Sequence, residues 1–594
     1  MELKPVSLLT ARNGPCNSRS MSDTPFPAFA TRRRLPNLFD LVAGVCILAA
    51  LIYVVTVARG TLGRLDVPEA TAISLDPSYL PGYAVRTTLR MFAALAFSLL
   101  FTFTYATWAA KSRRAGLILV PILDILQSVP ILGFLTFTVV FFMGLFPGRV
   151  LGAELAAIFA IFTSQAWNMA FSFYQSLTTL PADLVEATRS FRLSPWQRFW
   201  RLEVPFGMPG LVWNTMMSMS GGWFFVVASE AITVGDTTFK LPGIGSYVAL
   251  ALEERSIPAV LYAILTMLIV ILLYDQLLFR PLVAWSTKFR FELTASEQEE
   301  DPWMLRLLRR TRLLRAGSDF VASGFNKLAS LRLSLPSSDA RRERPPSKLG
   351  DVVFIVVLGA LLIWAVWLIV SFAAEVVTWS DVWTVFSLGL ITLLRVVVLM
   401  TLATLVWVPI GVMLGLRPQW GRRVQPLVQF LAAFPANLFF PIFVVLIVRF
   451  SGNPDIWLTP LMILGTQWYI LFNVIAGASV FPGDLQEAAA NLRVGGWLWW
   501  RRVILPGVFP YYVTGAITAS GGSWNAAIVA EVASWGDSKL VAHGLGAYIA
   551  QATADGATSK VVLGVAMMSA FVVAFNRLLW RPLYAYATRR LTLG

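Results

Sequence analysis

Apolar runs of about 20 residues, long enough to cross a bilayer, recur along this chain between short polar loops. In the first half they fall at Leu38 to Ala58, Ala84 to Ala110, Gly116 to Phe146, Val150 to Ser176, Gly207 to Ser229 and Pro258 to Thr287. In the second half they fall at Val352 to Ala374, Leu388 to Leu416, Gln425 to Val448, Ile456 to Val480, Gly507 to Ala530 and Lys560 to Ala587. The pattern predicts an all-α polytopic membrane protein with about twelve transmembrane helices in two parallel six-helix repeats. Arginine and lysine cluster at 32–34, 111–114, 189–201, 417–423, 501–502 and 589–590, in alternate loops. The positive-inside rule assigns those loops, and both termini, to the cytoplasm. Asp66, Glu69, Asp76, Asp236, Glu253, Glu254, Asp381, Asp455, Asp537 and Asp555 fall in the opposite set.

The halves repeat each other in sequence, not only in hydropathy. Glu186-Ala187-Thr188, Arg192 and Pro205 match Glu487-Ala488-Ala489, Arg493 and Pro506, with Leu505 before the second proline, at a constant offset of 301 residues (186 to 487, 205 to 506). The same offset relates Trp167 to Trp468, Trp196 to Trp497, Trp223 to Trp524 and Glu230 to Glu531, and Gly243-Ile244-Gly245 matches Gly544-Leu545-Gly546. Upstream, an offset of 305 relates Arg90 to Arg395 and Pro121 and Pro130 to Pro426 and Pro435. The organisation expected is a tail (1–35), a permease-like half (36–290), a basic cytoplasmic linker (291–349) and a second half (350–594).

The twice-repeated stretch resembles the EAA loop of ABC-importer permeases, a short helix between membrane spans that docks on an ATPase subunit. Thr392-Leu393-Leu394-Arg395-Val396, the Pro121 to Pro130 segment and the paired Gly-x-Gly motifs are similar to the nitrate/sulfonate/taurine branch of that family. The resemblance covers most of both halves. It implies a type I importer whose membrane unit meets two ABC ATPase subunits and an extracytoplasmic solute-binding protein, in the bacterial inner membrane. Such permeases usually pair as separate chains, so here one permease chain per complex is expected. The branch implies a small solute such as an oxoanion, a sulfonate or a related organic ion. On this reading Glu186, Ala187, Thr188, Arg192, Pro205, Glu487, Ala488, Ala489, Arg493, Leu505 and Pro506 carry the coupling. Both glutamates are expected near helix starts, where they would complement the dipole. One departure stands out: the family's glycine is Arg192 in one copy and Arg493 in the other. Arginine tolerates positive φ poorly, so the turn is expected to be reshaped or to move, in the second copy to Gly495.

Composition narrows the alternatives. With 57% hydrophobic and 14% charged residues and mean hydropathy +0.68, the 594-residue chain lies outside the soluble globular range. Its net charge of +15 sits in short clusters between apolar runs, which fits membrane topology and not nucleic-acid binding. Two cysteines, Cys16 and Cys46, and one histidine, His543, a loop residue, provide neither a disulfide framework nor a metal site. No apolar h-region of a signal peptide is visible in the polar, basic first 35 residues, which read as a disordered cytoplasmic tail. No G-x-x-x-x-G-K-[ST] phosphate loop occurs, so no catalytic residue or cofactor is expected, and ATP hydrolysis would belong to another chain. The linker carries Leu305 to Arg310 and Arg341-Arg342. Its middle fits an amphipathic helix on the anionic inner leaflet, with membrane lipid as partner, about as well as a solvated tether.

Polar residues inside apolar runs are the candidates for a solute path: Asp124, Gln127, Ser128, Gln165, Asn168, Gln429, Asn437 and Gln467, with Asn214 and Asn525 nearby. Each is costly in a bilayer unless paired or wetted, so helix-to-helix bonding and pore lining stay equally open. Arg90 and Arg395 could attract an anion or pair with acids such as Asp124 or Glu230. An ion-coupled secondary transporter would also fit twelve helices and repeats, but it gives no reason for two EAA loops, and a membrane scaffold lacks any recognisable signalling segment.

Overall fold

The structure, a computed structural model, describes residues 73–234, 237–289, 303–304, 311–332, 378–479, 481, 483–535 and 538–590, with scattered positions between 45 and 371. The expected spans at 38–58 and 352–374 lie largely outside this set, as do the tail and most of the linker. Within it, six helices are long and apolar enough to cross a membrane, or up to eight if each of two bent pairs is one span.

The first half runs through α1 (Leu80–Phe101), α2 (Arg113–Ser128), α3 (Leu135–Leu145), α4 (Val150–Thr178), α5 (Ala182–Ser190), α6 (Pro195–Arg198), α7 (Val204–Glu230), the hairpin β1 (Ala231–Val234) and β2 (Thr237–Lys240), α8 (Ile244–Glu253) and α9 (Ile257–Tyr274). A helix of the linker, α10 (Arg312–Ser330), follows. The second half repeats the order with α11 (Trp379–Gly415), α12 (Pro418–Ala433), α13 (Phe440–Arg449), α14 (Gln467–Ser479), α15 (Gly483–Asn491), α16 (Gly496–Trp499), α17 (Leu505–Ala530), β3 (Val532–Trp535), β4 (Ser538–Val541), α18 (Leu545–Ala554) and α19 (Thr558–Phe575). Both hairpins are antiparallel, with Ala231 opposite Lys240 and Val532 opposite Val541.

Lipid tails are as apolar as leucine, so helices in a bilayer associate through close packing and hydrogen bonds. Small residues accordingly line the contact faces: Ala153, Ala156, Ala157 and Ala160 of α4 are buried, and Trp223 and Trp524, related by the 301 offset, fill the two cores. Ser112 and Thr378 cap the helices they precede, Thr378 in a reciprocal box with Asp381.

Two expected spans are broken. The stretch 116–146 divides into α2 and α3 at Pro130, and its repeat, 425–448, bends by 80° between Leu427–Ala433 and Ala436–Arg449, at Pro435. A proline has no N–H to continue a helix and drives the preceding residue out of the α region. Val129 and Phe434 are extended accordingly, at ψ 128° and 130°. The stretch 456–480 also bends, by 41°, where its counterpart α4 is continuous.

Prolines farther along are absorbed differently. Turns of π-helix at Phe199–Glu203, Asp275–Phe279, Trp500–Ile504 and Asn576–Trp580 each end two residues before a proline: Pro205, Pro281, Pro506 and Pro582. The widened turn gives the ring room and absorbs the missing donor, so the chain continues as helix.

Candidate functional site

The two EAA loops have nearly the same geometry. α5 and α15 are nine-residue helices ending in a left-handed residue, Arg192 at φ +50° and Arg493 at φ +51°. The next N–H reaches back over the helix end, Leu193 to the Thr188 carbonyl at 3.1 Å and Val494 to the Ala489 carbonyl at 2.9 Å. This is the closure that glycine normally makes. The turn has therefore neither been reshaped nor moved to Gly495, whose φ is −127°; arginine holds the strained conformation in both copies.

Inside each loop the third residue of the signature points inward. Thr188 is buried, its hydroxyl donating to the Val185 carbonyl at 2.7 Å, and Ala489 is buried at the same place. Glu186, Ala187, Glu487 and Ala488 are exposed. The glutamates are not at helix starts: each is the fifth residue of its helix, and the acid in the first turn of α5 is Asp183. Dipole complementation falls off within the first turn, so it does not account for them. Both are on the exposed outer face, with no partner for either carboxylate among the described residues.

The two loop roots differ. Glu203, buried, meets Lys111 at 2.7 Å and Arg198 at 3.0 Å, tying the first loop to the end of the helix before α2. At the repeat position the second half has Ile504, fully buried. Pro205 and Pro506 each open the long helix behind the loop, with Leu505 as the first residue of α17.

At the other end of each core helix lies a buried charge cluster that the sequence left open. Arg90 pairs with Glu154 at 2.5 Å and with Glu230 at 2.6 Å, and Thr87 donates to Glu230 at 2.7 Å. Glu230 also accepts from the Gly245 N–H at 2.6 Å. In the second half Arg395 pairs with Glu531 at 3.0 Å and Asp455 at 2.8 Å, Thr392 donates to Glu531, and Glu531 accepts from the Ala547 N–H. His543 closes this cluster from its loop, 3.0 Å from Asp455. A Cβ at Gly243 or Gly544 would strike the glutamate, and one at Gly245 or Gly546 would strike the Val227 or Ala527 carbonyl. That explains the Gly-x-Gly pairs. Both arginines are committed to carboxylates, and neither is a free cation for an anion.

The candidate path residues divide. Three amides sit where one half meets the other: Asn525 Oδ1 accepts from the Ile131 N–H at 2.7 Å, Asn437 Nδ2 donates to the Phe224 carbonyl at 3.2 Å, and Gln429 donates to Asp275 at 3.3 Å. The first two contacts nearly mirror each other, since Phe224 and Asn525 are repeat mates and Ile131 and Asn437 both follow the breaking proline. Asn437 Oδ1 is buried with no hydrogen-bond partner among the described residues. Gln127 donates to Asn168 at 3.1 Å. Gln165 is wholly buried between Met91 and Ser98, inside the first half. Gln467 accepts from the Trp407 indole at 3.0 Å, and Asn214 donates to Ser172. The side chains of Asp124 and Ser128 lie outside the described set. Among the described residues no group of three or more His, Cys, Asp or Glu could hold a metal ion.

These features, two repeats each carrying an exposed short helix at the root of a core membrane helix, define a duplicated membrane component of a transport system. A model of the family described as binding-protein-dependent transport system inner membrane component matches residues 102–280 and again residues 407–581, together more than half of the chain. The chain belongs to that family and is a multi-pass inner-membrane protein. It is 30% identical over 186 residues to the bicarbonate transport system permease protein CmpB of Synechococcus elongatus, covering 31% of this chain and 64% of that protein. It is 30% identical over 163 residues to the glycine betaine/proline betaine transport system permease protein ProW of Escherichia coli, covering 27% and 44%. To the nitrate import permease protein NrtB of Leptolyngbya laminosa it is 26% identical over 187 residues, covering 32% and 63%. The matched part is thus less than two thirds of each relative.

Proposed function

We propose that this chain is the complete membrane-spanning unit of an ATP-driven importer, with two permease halves (36–290 and 350–594) joined by the linker 291–349. An extracytoplasmic binding protein delivers the solute, and two ATPase subunits on the cytoplasmic side dock one on each EAA loop. The observation that carries this reading is the duplicated lever: an exposed helix, α5 or α15, closed by a left-handed turn and fixed through a π turn and proline to the core helix α7 or α17. A rigid body of this kind passes motion of a docked subunit into the seam between halves. Glu186, Ala187, Glu487 and Ala488 form the outer docking face, and Thr188, Ala489, Arg192, Arg493, Pro205, Leu505 and Pro506 hold its shape.

The solute passes between the halves, past Gln127, Asn168, Gln429, Asn437 and Asn525. With Arg90 and Arg395 neutralised by carboxylates, these groups offer hydrogen bonds to a small polar solute without a fixed charge. That suits an oxoanion, a sulfonate or a related organic ion that must be released on the far side, and the substrates named for the relatives are bicarbonate, nitrate and betaines. Hydrolysis resides in the ATPase chain, not in this one.

The test is the double charge reversal Glu186→Arg with Glu487→Arg. Both sites are exposed, so folding is expected to be unaffected, while co-purification with the ATPase and ATP-dependent uptake into proteoliposomes are lost. Retention of both activities in a stably folded double variant contradicts the docking assignment.

A further inference from the structure

The two EAA loops differ in what covers them. The Trp196 indole donates to the Leu328 carbonyl at 2.8 Å and Gln197 Nε2 to the Ser330 carbonyl at 2.8 Å, so the last turn of α10 is seated on the root of the first loop. Phe325 stands edge-on to Trp200 at 4.8 Å, and Ala329 is buried beneath. The repeat mate of Trp196, Trp497, is 73% exposed. The linker helix thus engages one loop of the two.

α10 is amphipathic, and only part of its apolar side is used. Asp319, Ser323, Asn326 and Ser330 share one face by helical spacing; Leu328 lies across from it, with Phe320 on one flank and Phe325 on the other. Phe325 meets Trp200, whereas Phe320 is 80% exposed and Leu328 48%. Trp196 and Trp200 belong to the segment that runs directly into α7, so α10 sits where that helix leaves the bilayer. The sequence adds Arg306, Arg309, Arg310, Arg312 and Arg315 at or before the start of α10, a charge run complementary to anionic headgroups. An exposed phenylalanine beside a basic run, at a membrane helix root, is the pattern of an interfacial helix.

We propose that α10 is a lipid-surface clamp. Its free edge, Phe320 and Leu328, enters the anionic leaflet, and its other edge, Phe325 and Ala329, holds the root of the first EAA loop, so bilayer charge positions one loop and leaves the other untouched. The lipid contact stands independently of the ATPase reading; the consequence for coupling rests on it.

The experiment uses the full-length chain alone, with Cys16→Ser and Cys46→Ser and a polarity-sensitive fluorophore on Phe320→Cys or, as the opposite-face control, Asn326→Cys. Each is placed in nanodiscs of phosphatidylcholine or of phosphatidylcholine with phosphatidylglycerol. The expected result is a blue shift at position 320 but not 326, only with phosphatidylglycerol, reversed by high salt. Each basic residue near an anionic surface contributes about a fivefold factor, so Arg309→Gln with Arg310→Gln lowers the bound-to-free ratio roughly 25-fold. Equal emission at 320 in both lipids overturns the proposal, and so does a shift at 320 that appears only when the ATPase is added, which would make this face a protein contact. A shift at 320 and 326 alike also overturns it, because it would mean that the helix is buried on all sides.

Discussion

The side-chain oxygen of Asn525 accepts a hydrogen bond from the Ile131 N–H at 2.7 Å, tying the second half to the segment just after Pro130 in the first. Removing that acceptor leaves a buried backbone donor unsatisfied, at a cost of about 1–3 kcal/mol. Asn525→Ala is expected to lower the thermal unfolding midpoint in detergent, and Asn525→Asp, which keeps the acceptor, to lower it less. Equal losses would show that the contact carries no specific weight.

The two buried arginines are predicted to behave unequally. Arg90 lies between two nearly inaccessible carboxylates, whereas one partner of Arg395, Asp455, has a side chain 37% exposed. Breaking a buried pair by removing one partner costs about 3–5 kcal/mol. Arg90→Ala should therefore abolish stable expression or lower the unfolding midpoint strongly, and Arg395→Ala should do so by a smaller amount. Comparison of the two melting curves decides it.

Arginine at φ +50° in a left-handed turn carries strain of about 1–2 kcal/mol, partly offset because glycine loses more chain entropy on folding. Arg192→Gly and Arg493→Gly are thus expected to unfold no more readily than the parent, with a gain of up to roughly 1 kcal/mol, and Arg192→Val to be the least stable of the set. A clear loss of stability on either glycine substitution would mean that the side chains pack against something in the native protein.

Much of this architecture was legible in the sequence because the repeat preserves spacing: Glu186 and Glu487, Trp223 and Trp524, and Glu230 and Glu531 share one offset. The breaks at Pro130 and Pro435 were not legible from hydropathy, because averaging over a window sees apolar residues on both sides of a bend and not the missing donor. Arg90 and its two carboxylate partners come from three separate helices, so no local pattern reveals that Glu154 joins Glu230; the recurrence of arginine and of glutamate, each at the offset of its own segment, was the available signal. The turns at Arg192 and Arg493 were misjudged because residue preference was set against a closure that the surrounding hydrogen bonds enforce.

Topology gives a further prediction. A cysteine at Ser190 or Asn491, each at the exposed end of its EAA helix, should be labelled by an impermeant maleimide only from the cytoplasmic side, and one at Thr237 or Ser538 only from outside. Reversed labelling would place both loops out of reach of any ATPase.

The central claim, that both halves of the importer reside in one chain, is tested most directly by native mass spectrometry of the complex purified with its ATPase. One permease chain with two ATPase subunits is the predicted mass, because each chain presents two EAA loops and the halves already meet through Asn525 with Ile131 and Asn437 with Phe224. A stable assembly of two permease chains with two ATPase subunits would contradict it.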